Sequence, residues 1–222
     1  AAPFAIGRYE ITFDEWSQCA GDGGCTSQPA DETWGRGRRP VINVSFNDIT
    51  QQYLPWLSRK TGFAYRLPTE AEWEFAARGG AAATAGQAYS FGNDGTLLCQ
   101  YGNSSDPAAT GDTCSDGSSG TAPAGSLKPN ALGLFDMHGN VWEWVQDWWE
   151  PSYYQQFREN PALNPTGPSY GSRRVIRGGS WLYDAAFCRS AYRYMPDLKV
   201  RSSNNGSTSN NGFRVALTPT VK

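Results

Sequence analysis

The first thirteen residues that follow Pro3, FAIGRYEITFDEW, alternate between apolar and polar positions and then reach an Asp-Glu pair. This pattern predicts a short strand followed by the start of a helix. A second run, VINVSFNDITQQYLPWLSRKTG, has apolar residues at helical spacing, with Ser45 as the N-cap and Gly62 as the stop. Pro55 lies inside this run and predicts a kink or an early end, because proline removes a backbone hydrogen bond.

The segment RLPTEAEWEFAARGG predicts a helix over residues 70–78. Thr69 and Glu72 have the spacing of a capping box, and Gly79 follows the last helical residue. From Gly80 to Gly133 the sequence is polar, small and aperiodic, so we expect a long loop region that needs cross-links to stay ordered. SRRVIRGGSW and NGFRVALTP then predict strands.

These elements together predict an α+β domain with two main helices, short antiparallel strands and long ordered loops. The chain has 222 residues, 14% of them aromatic and 18% charged, which is typical of a globular protein. No repeat or linker divides it, so we expect one domain over residues 1–222. The net charge of -2 does not favour nucleic acid as a partner, and no apolar run is long enough for a membrane helix.

Five cysteines indicate two loop-closing disulfides and one unpaired thiol. Cys19 and Cys25 bracket one polar loop, and Cys99 and Cys114 bracket another. Neither pair has the spacing of a zinc site, and the chain has a single histidine. The disulfides predict an extracytoplasmic location, periplasmic, secreted or surface-displayed, although AAPFAIGRYEITF contains no basic segment of an intact signal peptide.

Five blocks of the sequence resemble the formylglycine-generating-enzyme (sulfatase-modifying factor) domain family. They are RLPTEAEWEFAARGG, TAPAGSLKPNALGLFDMHGNVWEWVQDWW, RVIRGGSW, CRSAYR and GFRVA, in the order of the family. The resemblance covers the chain from about Arg8 to Leu217. It implies a C-type-lectin-like α+β fold. Family members usually carry an additional strand before Phe4, so we expect a truncated N-terminal strand and a changed sheet edge.

Two stretches offer the carboxylate, amide and carbonyl oxygens that calcium prefers. The first contains Asp136, Gly139, Val141 and Glu143, and the second contains Asn103, Ser104, Asp116 and Ser118. Judged by residue type alone, both stretches are equally consistent with side chains that only cap turns. The resemblance implies calcium at both positions, so we expect one or two structural calcium ions.

The resemblance also allows a test for catalysis, because enzymes of this family use two cysteines to hold copper. Thiolates select Cu(I), so both sulphur atoms are required. Counted from Ser180, the second cysteine position falls on Cys188 and the first on Tyr183. A lone Cys188, with Ser180 nearby, would need a base, and His138 is the only histidine. We therefore expect no copper and no catalytic residue, with a copper-dependent formylglycine-generating oxidase as the alternative.

The C-terminal block instead has the composition of a recognition surface, since Tyr, Ser, Asn and Gly are typical of antibody-like binding sites. Some relatives implied by the resemblance are variable proteins of diversity-generating retroelements, which exchange residues in this block and keep the frame between them. We expect a non-catalytic protein that binds a protein or carbohydrate ligand. The candidate contact residues are Trp181, Leu182, Tyr183, Asp184, Phe187, Tyr192, Tyr194, Met195, Leu198, Lys199, Ser202, Ser203 and Asn205.

Overall fold

The structure, a computed structural model, describes residues 2–105, 116–195 and 209–219. It contains two small sheets, and helices and long loops surround them, as expected for an α+β fold. The strands are β1 (Ala5–Ile6), β2 (Tyr65–Arg66), β3 (Trp142–Trp148), β4 (Arg174–Arg177), β5 (Arg193–Tyr194), β6 (Asn211–Gly212) and β7 (Ala216–Leu217). One sheet has the order β1-β7-β2 and the other β5-β4-β3-β6.

The prediction of antiparallel strands was wrong for one pair, because β3 and β6 run parallel. Trp142 pairs with Asn211 and Glu143 with Gly212 in this register. A parallel pair needs a long crossover connection, and the chain between β3 and β6 supplies it by forming β4 and β5 on the way. The parallel pair places Asn211 beside the fully buried Trp142.

The helices are α1 (Phe13–Gly21), α2 (Phe46–Asp48), α3 (Leu54–Thr61) and α4 (Glu70–Ala77). The Thr69 hydroxyl accepts from the Glu72 amide, and the Glu72 carboxylate accepts from the Thr69 amide, which confirms the predicted capping box. The Ser45 cap and the left-handed Gly62 stop are confirmed in the same way. Local hydrogen bonds define these ends, so the sequence alone predicts them.

Pro55 does not end the helix early, because α3 continues to Thr61. A π-helical turn, Ile49–Tyr53, lies directly before α3, and the residues at the junction keep helical backbone conformations. The irregularity in the helix therefore lies just before Pro55, in the turn whose hydrogen bonds a proline amide would have continued.

Aromatic side chains form most of the main core. Trp16 stacks on Tyr53 with ring centroids 5.5 Å apart, and Phe213 meets both rings edge-on. Trp142 and Trp144 of β3 join the same cluster. A smaller cluster contains Trp73 of α4 together with Met137, Val145 and Val175, and so attaches α4 to the β3–β4 pair. Large rings give this loop-rich chain much of its buried apolar area.

The predicted disulfides are confirmed as far as the structure describes them. Cys19 and Cys25 are bonded, with Cα atoms 5.3 Å apart. Cys99 is also disulfide-bonded, and Cys114, its predicted partner, lies outside the described residues. Among the described residues, Cys188 is the free cysteine, and it is buried. No helix among the described residues is long and apolar enough to cross a bilayer.

Candidate recognition surface and metal sites

Cys188 is fully buried. Its exposed fraction is 0%, and it packs with Tyr89 and Leu98 in a small apolar cluster. Its sulphur lies against Gly179, where an added Cβ would come within 2.4 Å of it. Burial raises the pKa of the Cys188 thiol to about 12. A nucleophilic cysteine needs the opposite shift and solvent access, so Cys188 has the environment of a packed thiol.

His138 lies near Cys188 but cannot act as its base. Its Nδ1 is 2.9 Å from the Cys188 carbonyl oxygen, and its Nε2 accepts a hydrogen bond from the Ser90 amide. Only the neutral ring protonated on Nδ1 fits both partners. Burial lowers the pKa of His138 to about 4. The imidazole is therefore a satisfied structural group that contacts the backbone of Cys188 and not its sulphur.

Tyr183, the residue that the family resemblance places at the first cysteine position, belongs to a continuous aromatic layer. Its ring meets Trp142 edge-on at 5.5 Å and lies 5.1 Å from Phe187. Tyr192 and Tyr194 contact the same Trp142 ring at 6.0 and 5.4 Å. A phenol in this packing offers no soft ligand for Cu(I). The residues present therefore do not fit a copper site.

The structure brings eight of the predicted contact residues together on one segment and its neighbouring strand. We call them the recognition surface: Trp181, Leu182, Tyr183, Asp184, Phe187, Tyr192, Tyr194 and Met195. Leu182 is 49% exposed and Tyr194 is 41% exposed. The other predicted contact residues, Leu198, Lys199, Ser202, Ser203 and Asn205, lie outside the described residues.

Not every residue of this surface is free for a ligand. The Asp184 carboxylate accepts from the Ala186 amide at 2.9 Å, which is a turn-capping bond. Ser180, the residue paired with Cys188 in the weaker catalytic hypothesis, is fully buried, and its carbonyl accepts from the Tyr183 amide at 3.0 Å. Ser180 therefore supports the segment from below and is not presented to a substrate.

Unpaired polar atoms lie beneath the aromatic layer. Within the described part of the chain, Trp142 Nε1, Asn210 Oδ1 and Asn211 Nδ2 are buried and have no hydrogen-bond partner. The three residues are neighbours, because Trp142 pairs with Asn211 and its amide donates to the Asn210 carbonyl at 2.7 Å. Buried polar groups are normally paired with protein, water or a ligand. Sequence analysis missed this set, because the parallel pairing that creates it is not visible in the sequence.

The four residues of the second predicted calcium site lie together. The Asp116 carboxylate accepts from the Ser104 amide at 3.0 Å and from the Ser118 amide at 2.9 Å. Asn103 is fully buried, and within the described residues its Oδ1 has no partner. An unpaired amide oxygen, next in sequence to a residue that a carboxylate contacts, suits a calcium ion. These residues fit the ion implied by the family resemblance.

The first predicted calcium site has a different environment, because its Glu143 forms an ion pair with Arg214. Both oxygens of Glu143 accept from the Arg214 guanidinium, at 2.6 and 2.7 Å, and Trp73 Nε1 donates to one of them at 2.8 Å. Asp136 accepts from the Gly125 amide at 2.7 Å. An ion held by Asp136, Gly139, Val141 and Glu143 would have to share Glu143 with Arg214. The donor set therefore fits calcium less well here than at Asn103.

Glu10, which sequence analysis missed, adds a third buried carboxylate to this region. It accepts from the Asn140 side chain at 2.6 Å and from the Val141 amide at 3.2 Å. Burial, and then the negative charges of Asp136 and Glu143, raise the pKa of Glu10 well above its usual value. Burial likewise raises the pKa of Asp136 to about 6. A charged residue inside the strand-like pattern RYEITF was the signal in the sequence.

Three mutually repelling carboxylates around one guanidinium do not by themselves make a metal centre. Among the described residues, no three His, Cys, Asp or Glu side chains converge closely enough to hold an ion. Electrostatic influence reaches further than coordination, so the charge of Glu143 contributes to the raised pKa values of Glu10 and Asp136 without a shared ligand position. Main-chain carbonyls would have to complete any ion site in this region.

A cavity of about 440 Å³ lies away from all of these residues. Its walls include Phe4, Phe75 and Leu163, and the ion pair of Arg66 and Glu72 lies at its edge. None of the predicted contact, metal or catalytic residues lines it. The cavity has the size of a ligand site but contains no free charge that would define a reaction.

Comparison with known proteins gives these features a context. Residues 1–219 match the family model described as the sulfatase-modifying factor enzyme 1-like domain. A formylglycine-generating enzyme from Streptomyces coelicolor is 43% identical over 188 residues, which cover 82% of this chain and 54% of that protein. An inactive C-alpha-formylglycine-generating enzyme 2 from Mus musculus is 34% identical over 206 residues, which cover 90% of this chain and 54% of that protein.

Among solved structures, Treponema denticola variable protein 1 superposes with a TM-score of 0.76 at 27% identity, covering 97% of this chain and 84% of that one. The chain spans about half the length of the curated relatives it matches, with 54%, 59% and 45% of three of them covered. The family and the fold are therefore shared over nearly the whole chain, while the relatives contain further sequence.

Proposed function

The chain belongs to the sulfatase-modifying factor enzyme 1-like domain family, and within that family we propose that it is a non-catalytic recognition protein. Its ligand would contact the recognition surface and reach towards the polar atoms beneath it. Function in this family scaffold has to be argued from the site and not from the fold. The site offers aromatic contact area and unpaired hydrogen-bonding groups, which are the components of a binding surface.

One observation carries the proposal: Tyr183 stands where the family's copper chemistry needs a thiolate, and it packs 5.5 Å from Trp142 in the aromatic layer. The remaining thiol, Cys188, is inaccessible. The position of the first active-site cysteine has thus become part of a contact surface. The similarity to a relative named as inactive and to one named as a variable protein supports this interpretation.

The chemistry of the surface favours a protein ligand over a carbohydrate. Sugars are bound by flat, open ring faces, but the rings of Tyr183, Phe187 and Tyr192 are tilted against one another at 52° and 62° and cover each other's faces. The exposed Leu182 and Tyr194 instead offer apolar anchors of the kind that fill pockets on a protein partner. The disulfide-bonded Cys19, Cys25 and Cys99 support an extracytoplasmic location.

Calcium belongs to this proposal as a structural ion. Asn103, Ser104, Asp116 and Ser118 would hold it, and its role would be to order the loop that they form. Asn103 and Ser104 position the main chain next to the recognition surface, and no reaction step depends on the ion.

Sequence variation among natural copies of the gene tests the variable version of this function. We expect amino-acid substitutions in residues 182–205 at several times the density found in residues 150–171, a connection with one 3-10 helix (Tyr153–Phe157) that is also largely exposed. The frame residues 178–181, 188–191, 193 and 212–217 should be constant, including those that lie within the variable block. The measurement is deep sequencing of the locus across a population of the source organism. An invariant block 182–205, or equal densities in the two loops, would contradict variable recognition.

A further inference from the structure

A strained loop delivers an aromatic side chain to the edge of the recognition surface. Glu32 and Thr33 both have left-handed backbone conformations, with φ of 53° and 64°. Such conformations cost roughly 1–3 kcal/mol each outside glycine, and they are unusual for a β-branched residue. Asn43 holds the loop in place, since its side chain donates to the Ala30 carbonyl at 3.0 Å and to Glu32 at 2.8 Å. The next residue along the chain is Trp34.

Trp34 meets the recognition surface directly. Its ring packs edge-on against Trp181, with centroids 4.8 Å apart. Trp181 Nε1 in turn lies 3.4 Å from the Ser209 carbonyl oxygen, the first described residue after the Ser- and Asn-rich segment. Both tryptophans are only half-buried. The aromatic layer around Tyr183 forms one wall of the recognition surface. Trp34 therefore forms a second wall, contributed by the N-terminal half of the chain.

The Asn103 side chain connects this wall to the proposed calcium site. Its Nδ2 donates to the Gly120 carbonyl at 2.8 Å, while its Oδ1 is the unpaired oxygen that faces no partner among the described residues. The Trp34 ring lies on Gly120 so closely that an added Cβ would come within 2.5 Å of it. The same Nδ2 also donates to Asn140 Oδ1 at 3.1 Å, so an ion bound at Oδ1 would add the contact that holds the other end of the carboxamide, and with it Gly120 and Trp34.

A second connection reaches the other side of the surface. The Ser105 amide, next to the predicted ligand Ser104, donates to the Tyr183 carbonyl at 3.0 Å. Residues 103–105 thus contact the supports of both Trp34 and Tyr183. A change in the order of this short segment would move both aromatic walls together.

We infer that an ion at Asn103, Ser104, Asp116 and Ser118 sets the position of Trp34, and that the recognition surface is therefore calcium-dependent. The inference rests on the proposed recognition function, and it assigns Trp34 to the ligand-contacting residues. The surface would present its two aromatic walls in their binding arrangement when calcium is bound. Removal of calcium would release Gly120 and Trp34 from that arrangement.

Calcium titration of the chelator-treated protein tests the inference without any ligand, using calcium alone as the probe. Calorimetry should detect a calcium site that is lost in Asn103→Ala. Tryptophan fluorescence should change on binding, and most of that change should disappear in Trp34→Phe while calcium affinity stays within about threefold. The matched control is Trp148→Phe, a half-buried tryptophan with no link to residues 103–105, which should retain the change.

Three outcomes would overturn the inference: no calcium site, a site that survives Asn103→Ala, or a fluorescence change that persists in Trp34→Phe. If calcium folded the whole chain, the change would be spread over all nine tryptophans and would persist in that variant. None of these outcomes decides the recognition function itself, because gene variation in residues 182–205 is measured independently. A failure here and a failure of the proposed function are thus distinguishable.

Discussion

Arg214→Met is expected to lower the free energy of unfolding by about 3–5 kcal/mol, the usual cost of leaving a buried charge without its partner. Arg214 and Glu143 are both fully buried, and two hydrogen bonds of 2.6 and 2.7 Å join them. The guanidinium also donates to the Gly7 carbonyl at 3.0 Å and to the Phe135 carbonyl at 2.9 Å. Its removal would leave Glu143 buried beside two further carboxylates. Guanidinium denaturation measures the loss.

The matched control for Arg214 is Arg66→Met. Arg66 forms an equally short ion pair with Glu72, 2.6 Å long, but the two side chains are 28% and 20% exposed. Partly exposed pairs contribute about 0–1 kcal/mol, so this variant should lose little stability. Equal losses in the two variants would contradict the assignment of Arg214 as the centre of a buried charge cluster. A variant of Arg214 without a cooperative transition counts as a larger loss than expected.

Gly139→Ala is expected to destabilise the protein by about 3 kcal/mol or more, because overpacking and backbone strain each cost roughly 1–3 kcal/mol. Gly139 has a φ of 122°, and an added Cβ would come within 2.2 Å of the Asn103 carbonyl oxygen. The Asn140 amide donates to that same oxygen at 2.6 Å, so the neighbour is a backbone atom that cannot move aside. The change would push apart the two loops that contain the predicted calcium residues.

Gly86→Ala separates the cost of backbone strain from the cost of overpacking. Gly86 also has a positive φ, 82°, but no heavy atom lies within 4 Å of the added Cβ. Strain alone should cost about 1–2 kcal/mol there. Thermal or chemical denaturation of both variants gives the comparison. If Gly139→Ala lost no more stability than Gly86→Ala, the close approach of residues 103 and 139 would be disproved.

The sequence predicts local features of this fold well, because short-range hydrogen bonds determine them. The capping box of Thr69, the Ser45 cap and the Gly62 stop depend on residues three or four positions apart. The early helix end predicted at Pro55 is absent, and a π-helical turn directly before α3 was not predicted. Such a turn leaves no periodic signal in the sequence.

Features that join distant parts of the chain could not be predicted from the sequence. Glu10 and Glu143 interact across more than 130 positions, and the only hint was the charge of Glu10 inside a strand-like pattern. Trp34 stood in a Gly- and Arg-rich segment with no sign that it would meet Trp181. The recognition residues 182–195 were predicted because they lie in one short segment. The unpaired polar atoms beneath them depend on the parallel pairing of β3 and β6.

A recognition role and an oxidase role require opposite environments for the sulphur atom of Cys188. An oxidase of this family requires Cys188 to be accessible and joined by a second thiolate, since Cu(I) is selected by sulphur ligands. Recognition requires only that Cys188 pack beneath the segment that begins at Gly178. The buried sulphur and the raised pKa of Cys188 correspond to the second demand.

The most direct measurement is a free-thiol count on native and denatured protein, combined with a Cu(I) titration and with Cys188→Ser as the background. We predict one thiol per chain that reacts only after denaturation, and no stoichiometric Cu(I) binding by the native protein. That result would mean that Cys188 is a packed scaffold residue, and it would exclude the copper-dependent oxidase that competes with the recognition role. A thiol that reacts in the native state and binds Cu(I) tightly would contradict the account and restore the copper-dependent oxidase.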